Sequence, residues 1–168
     1  VTGNFSSQIT LDPSEGICFG PVSDPTGATG AFFRIFSGDR SAKWYGVKGS
    51  GDDTAAMQAA ANNIGFAGGT LYFPPGAYSY TSINMPTGVI FRGAASFATT
   101  LVSTNLSNDT IIMAGDNIIR DVQFNSTGPR TGGRTVWMQG NNCLVENYEA
   151  YNYFLFCDAQ TAAGAGVT

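Results

Sequence analysis

Two hexapeptides in this chain share one pattern of apolar and polar positions. Ile118-Ile119-Arg120-Asp121-Val122-Gln123 aligns with Leu144-Val145-Glu146-Asn147-Tyr148-Glu149 at an offset of 26 residues. Upstream, Met113-Ala114-Gly115-Asp116-Asn117 aligns with Met138-Gln139-Gly140-Asn141-Asn142 at an offset of 25. Self-similarity at a period of roughly 20–50 residues is the mark of a solenoid or array. Three short strands in each period of about 25 residues form one coil of a parallel β-helix, in which every residue stacks on its equivalent in the next coil. Arg120 then lies beside Glu146, as a cross-coil ion pair worth at most about 1 kcal/mol if exposed.

The segments around the repeat agree with this reading. Strands are expected at Thr70–Phe73, Tyr78–Ile83, Val89–Phe91, Thr100–Val102, Thr110–Met113, Ile118–Phe124, Thr135–Met138, Cys143–Ala150 and Tyr153–Cys157. Pro-Pro-Gly, Pro-Thr-Gly, Ala-Gly-Asp-Asn and Gly-Asn-Asn separate them. Short strands at regular spacing with turn signals between them indicate an all-β fold. Composition fits: charged residues are 12% of the 168 and there are 22 Gly, as stacked apolar coils with uncharged turns require.

Residues 52–64 are the one strong helix. Asp52 or Asp53 can cap its start, and the body Ala55-Ala56-Met57-Gln58-Ala59-Ala60-Ala61 has high helix propensity. Met57, Ala60, Ala61 and Ile64 form an apolar stripe. Gly65, Gly68 and Gly69 end it. A β-helix end exposes unpaired strand edges, which proteins normally cover, and this stripe is suited to that task. Residues 1–44 differ from the rest: short apolar patches, Ile17–Phe19 and Ala31–Phe36, alternate with turn-rich stretches such as 21–30. They read as a small β hairpin or extended arm, with a strand over Phe32–Phe36. The division is thus an N-terminal arm, 1–44, and a capped β-helix, 45–168. The chain starts at Val1 and ends in Thr161–Thr168, a Thr/Ala/Gly stretch with no capping element, so both ends read as cut from a longer protein.

Several function classes are excluded. The chain has no His, which removes Ser-His-Asp triads, Cys-His dyads and the usual zinc sites; no metal site and no cofactor are expected. The net charge is −4 and the eight basic residues are scattered, so no footprint for nucleic acid is present. No apolar run approaches the ~18 residues of a membrane span. Cys18, Cys143 and Cys157 form no metal-binding spacing. They read as buried thiols, with a Cys143–Cys157 disulfide as the alternative.

The stretch Trp44-Tyr45-Gly46-Val47-Lys48-Gly49-Ser50-Gly51-Asp52-Asp53-Thr54-Ala55-Ala56-Met57-Gln58-Ala59-Ala60 resembles the opening motif of the pectate-lyase-like parallel β-helix superfamily. Gly68–Tyr78 is similar to its first coil and Gly88–Gly93 to its second. Residues Phe36–Gly46 resemble bacteriophage tailspikes in particular. The loop Gly49-Ser50-Gly51-Asp52-Asp53 is shorter than the usual Gly-Asp-Gly-x-x-Asp-Asp form. The resemblance implies a right-handed parallel β-helix, one N-terminal capping α-helix and a small β-rich N-terminal arm. It further implies a homotrimeric tailspike or tail fibre of the virion, assembled in the bacterial cytoplasm and then extracellular. The arm would join phage tail or adaptor proteins, and the β-helix would bind bacterial surface polysaccharide. Two alternatives remain: a polysaccharide depolymerase, hydrolase or lyase, and a secreted pectin-lyase-like carbohydrate-binding protein.

Hydrolysis of a glycoside commonly uses two carboxylates at fixed separation. The β-helix supplies Asp109, Asp116, Asp121, Glu146, Glu149 and Asp158. Asp121 and Glu149 are the candidate catalytic pair, because Asp109 and Asp116 fall in turns and Glu146 has a stacked partner. Trp137, Tyr148 and Tyr151 are candidate sugar-stacking residues, and Arg130 and Arg134 candidate contacts to an anionic glycan. Each has a plainer reading. The cluster Trp137, Tyr148, Tyr151, Tyr153, Phe154 and Phe156 can equally be core stack or strand surface, and for Phe154 and Phe156 the core is favoured. Arg130-Thr131-Gly132-Gly133-Arg134 can be a plain solvated loop.

Overall fold

Side chains that alternate in and out along short strands share one core only if successive coils keep register. The computed structural model of the chain describes residues 1–12, 15, 17–35, 37–65 and 68–159. Its elements are, in order, α1 (Ser6–Leu11), β1 (Cys18–Phe19), β2 (Phe32–Phe33), β3 (Arg40–Ser41), a 3-10 turn (Ala42–Tyr45) and α2 (Thr54–Gly65). The strands β4 (Gly69–Phe73), β5 (Gly76–Tyr80), β6 (Ile83–Met85), β7 (Val89–Gly93), β8 (Thr99–Ser103) and β9 (Ile111–Met113) follow. The chain continues as β10 (Ile118–Ser126), β11 (Arg134–Met138), β12 (Leu144–Ala150) and β13 (Leu155–Ala159). The expected Thr161–Thr168 tail and Phe36 lie outside the described residues.

Every ladder among β3 to β13 is parallel. β3, β4, β7 and the first part of β10 make one face, and β5, β8 and the second part of β10 another; β12 lies along both parts. β6, β9, β11 and β13 make the third. The result is an all-β parallel solenoid of about four turns. Inward positions stack into columns: Leu71, Phe91, Ile119 and Val145; Tyr78, Leu101, Phe124 and Ala150; Ile83, Ile111, Val136 and Cys157. The first three members of each column are buried. Each such side chain contributes about 1.5–3 kcal/mol by leaving water. The register of β10 on β12 is the one the hexapeptide repeat gives, Ile118 opposite Leu144 through Gln123 opposite Glu149.

The expected strand Tyr78–Ile83 is two strands, because the chain turns a corner at Thr81 and Ser82. Conversely, β10 runs through a corner as one strand by placing Asp121 in the left-handed region, φ +59°. Asn147 repeats this bend one coil later, φ +46°. Their side chains are joined, Asn147 Nδ2 donating to Asp121 Oδ1 at 2.5 Å. Asn142 donates likewise to Asp116 at 2.8 Å and Asn152 to Asn125 at 2.9 Å. Asn and Asp tolerate this backbone region better than other side chains, so the corners keep amide and carboxylate ladders where apolar residues would be strained.

Helix α2 buries Met57, Ala60, Ala61 and Ile64 and packs on β4, β5, β6 and β7. Both acidic residues work at its start, on different tasks. Asp52 Oδ1 accepts the Thr54 N–H at 2.9 Å. The buried Asp53 carboxylate accepts the N–H groups of Lys48 at 2.7 Å and Gly49 at 2.9 Å, closing the short glycine loop onto the helix. Ahead of the solenoid, β1 and β2 pair antiparallel. Asp12 Oδ2 accepts the N–H groups of Ile17 at 2.6 Å and Cys18 at 2.8 Å. Strand β2 ends at Phe33, short of the expected Phe36, and the Arg34 guanidinium sits over the Trp44 ring at 4.9 Å. Helix α1, a second helix that the composition does not announce, lies beside β1. The three cysteines are free thiols; Cys18 is buried and the other two half-buried.

Close approach of neighbouring coils makes glycine necessary at two corners. A Cβ on Gly93 would stand 2.1 Å from the Asp121 carbonyl oxygen, and one on Gly140 would stand 1.8 Å from that of Ala114. Overpacking of this kind costs about 1–3 kcal/mol. Gly93→Ala should therefore lower the melting temperature by several degrees, at about 2–4 °C per kcal/mol for a chain of this size. Gly128, whose added Cβ would meet only Leu106 Cδ1 at 3.8 Å, is the control. A circular-dichroism melt in which Gly93→Ala and Gly128→Ala coincide would contradict the coil spacing described.

Candidate functional site

Three charged side chains on successive coils meet beside the third face. Asp109 precedes β9, Arg134 opens β11 and Asp158 lies in β13. The 25-residue step that stacks Met138 on Met113 also sets Arg134 against Asp109. Arg134 Nε donates to Asp109 Oδ1 at 2.8 Å and NH2 to Oδ2 at 2.6 Å, a bidentate pair. The Arg134 backbone N–H donates to Asp109 Oδ1 at 2.8 Å. NH1 reaches the next coil, donating to Asp158 Oδ2 at 3.2 Å. The guanidinium carbon sits over Trp137, 3.6 Å from the ring centroid, and Trp137 is paired in register with Asp158. Stacking and two carboxylates fix Arg134 in one pose, which a lysine could not copy.

These groups line an open cleft of about 440 Å³ with Ser107, Asn108, Gly133, Phe154 and Leu155. Phe154 is 64% exposed. The core position expected for it is thus wrong: it stands in the loop before β13, outside the alternating part of the strand. The cleft joins an apolar ring, a carboxylate pair, an amide and a hydroxyl. That set suits a ligand with apolar faces and polar edges.

The other expected residues lie elsewhere. Arg130 is 7% exposed, not part of a solvated loop. It donates to the carbonyls of Asn105 at 2.5 Å, Asn108 at 2.6 Å and Gly132 at 3.0 Å, so it holds the loop and is not presented to a glycan. Burial lowers its pKa. Tyr148 is opposite the inward Val122. It stacks on Phe156 at 4.6 Å and meets Phe124 edge-on at 6.2 Å. Tyr148 is nonetheless 42% exposed, so it keeps an open face beside these ring contacts. Phe156 packs against the core, as expected.

Glu149 belongs to an outward row on the second face. Thr100 Oγ1 donates to Gln123 Oε1 at 3.1 Å, Gln123 Nε2 donates to Glu149 Oε2 at 3.1 Å, and the exposed Tyr151 hydroxyl donates to the same oxygen at 3.2 Å. Asp121 is engaged at the corner by Asn147, so the two candidate acids have separate partners. Arg120 and Glu146 approach to 3.8 Å, both well exposed, a pair worth little. Arg134 is one of the candidate contacts; its two carboxylate partners, Asp109 and Asp158, are what the sequence reading leaves out. The signal is present, since Asp109 and Arg134 have the same spacing as the paired methionines, but a turn position gives Asp109 no expected partner.

The side-chain hydrogen bond from Arg134 holds the Asp109 carboxyl below the ordinary carboxylate range, against a smaller opposing effect of burial. A carboxyl with a depressed folded-state pKa stabilises the fold above its unfolded pKa of about 3.9. That contribution is lost as pH falls through the lower folded-state value. Asp109→Asn should therefore be less stable than the parent chain at about pH 7, with the gap closing below about pH 4. Urea melts across this range that keep a constant gap would remove the charged clamp.

A family model described as rhamnogalacturonase A/epimerase, pectate lyase-like matches residues 40–153. Among solved structures, the A-module of the mannuronan C-5 epimerase AlgE4 of Azotobacter vinelandii is similar, with a TM-score of 0.58 and 20% identity. The alignment covers 71% of this chain and 41% of that one, a likeness that speaks for the fold. A candidate glycosyl hydrolase from Parabacteroides merdae aligns at 14% identity over 77% of this chain and 98% of that one, with a TM-score of 0.36, too low to carry weight. No curated protein matches. The family match takes in the 3-10 turn, α2 and nearly all of the four coils, and the chain belongs to the rhamnogalacturonase A/epimerase, pectate lyase-like family.

Proposed function

We propose that this chain is a polysaccharide-binding β-helix module, the head-binding arm and first coils of a phage tailspike that meets bacterial surface polysaccharide. The observation that carries the binding role is the cleft, which exposed Phe154 lines together with Asp109 and Asp158. Sugar rings present C–H faces that pack on an aromatic ring and hydroxyls that donate to carboxylates. Family membership supports a role with carbohydrate, and AlgE4 is by name an epimerase of mannuronan. The likeness of residues 36–46 to tailspikes supports the phage setting. In this reading α2 caps the open end of the first coil. The exposed Phe19, Phe32, Phe33 and Ile35 of the arm supply apolar surface for a homotrimer and for tail proteins.

Binding and not cleavage is assigned to these residues. Asp121 and Glu149 are each tied to neighbouring polar side chains, and among the described residues lining the cleft the acids Asp109 and Asp158 are both held by Arg134. Two measurements test the proposal. Phe154→Ala should weaken binding to immobilised surface polysaccharide about tenfold, as loss of one aromatic contact of about 1–1.5 kcal/mol requires, without changing the melt. Release of new reducing ends by the parent chain, abolished by Asp121→Ala or Glu149→Ala, would instead make the module a depolymerase. Mass photometry of the intact protein should give a trimer; a stable monomer would remove the tailspike assembly.

A further inference from the structure

We infer that Arg92 and Arg120, on the face made by β4, β7 and the first part of β10, form a second contact surface that takes the anionic substituents of an acidic polysaccharide. The inference rests on the polysaccharide-binding reading. It adds a site on a different face from the cleft and the chemical class of ligand held there.

Outward positions on this face form two columns. One holds Thr70, Ile90, Ile118 and Leu144; the other, two residues on, holds Tyr72, Arg92, Arg120 and Glu146. Among the described ladders, Arg92 and Arg120 are the one pair of like charges set directly opposite on neighbouring strands. Such a pairing is unfavourable by itself, and the strands are only about 4.8 Å apart. The two guanidiniums turn to partners in opposite directions. Arg92 Nη2 pairs with Asp39, and its guanidinium lies over the Tyr72 ring of the preceding coil, 4.9 Å from the centroid. Arg120 approaches Glu146 of the following coil at 3.8 Å.

These partners leave donors over. The contact of Arg120 to Glu146 is too long for a hydrogen bond, and Arg92 engages Asp39 through one Nη group. Both Nε atoms are shut away from solvent without a partner. The donors open to a ligand are therefore Nη groups, on side chains 37% and 40% exposed. A sulfate, phosphate or carboxylate between the two arginines accepts from both and removes their repulsion, and the guanidinium fork suits such oxyanions. The half-buried Ile90 and Ile118 alongside give apolar surface to the sugar ring that bears the anion. One coil step is close to the length of one sugar in an extended chain, so a polymer lying along the solenoid brings successive substituents to successive arginines. The chain's net charge is −4, so general attraction does not supply this contact and the local pair must.

The test measures the 168-residue chain against three immobilised polymers with one backbone: dextran, dextran sulfate and carboxymethyl dextran. At low salt at least one charged polymer is expected to bind about tenfold more tightly than dextran, as two exposed ionic contacts of up to about 1 kcal/mol each allow. The tighter of the two identifies the substituent as sulfate-like or carboxylate. Changing both Arg92→Gln and Arg120→Gln should abolish the excess, and raised salt should shrink it. Glu146→Gln, which releases Arg120, should tighten the charged polymer about twofold to threefold, a gain that damage to the fold cannot mimic. Charged polymers bound no better than dextran, or bound equally by the parent, the double arginine variant and Glu146→Gln, would overturn the inference. The cleft is read separately, by Phe154→Ala on surface polysaccharide, so either reading can fail while the other stands.

Discussion

The hydrogen-bonded register between successive coils is the constraint on which everything else in this molecule depends. Because each ladder is parallel and in step, an inward residue always meets an inward residue. A slip of one position would turn Leu71, Phe91 and Ile119 outward together, since side chains alternate with a period of two. The same register aligns the corner residues, so Asp121 and Asn147 bend the chain at the same place in two coils and bond to each other. Core columns, corner ladders and the outward charge clamp are three readings of one alignment.

How much of this was legible in the sequence can be judged residue by residue. The β10 to β12 register was legible in full, because the coils there differ by a constant 26 residues and their hexapeptides match in polarity. Helix α2 was legible because its apolar stripe and flanking glycines are local signals. The split at Thr81 and Ser82 was not, because a corner without Gly or Pro leaves no mark in composition. Arg130 was misplaced because a short Gly-rich loop usually faces solvent, and only the carbonyls of residues 105 and 108 explain why this guanidinium turns in.

The candidate site also shows how charge is managed in a chain with few charges. Arginine here seldom stands alone: Arg92 pairs with Asp39, Arg120 approaches Glu146, and Arg134 is held by two carboxylates. Bidentate geometry with limited exposure makes the last of these worth more than an ordinary surface pair.

Arg134 has a consequence of a mechanical kind. Its partners sit one coil before and one coil after its own, so a single side chain bridges three turns of the spring. Pulling the last coil away loads the bond to Asp158, and the same guanidinium passes the load to Asp109 through two parallel bonds. The ladders alone would peel one coil at a time. This rivet couples adjacent coils, so they resist tension together and yield together.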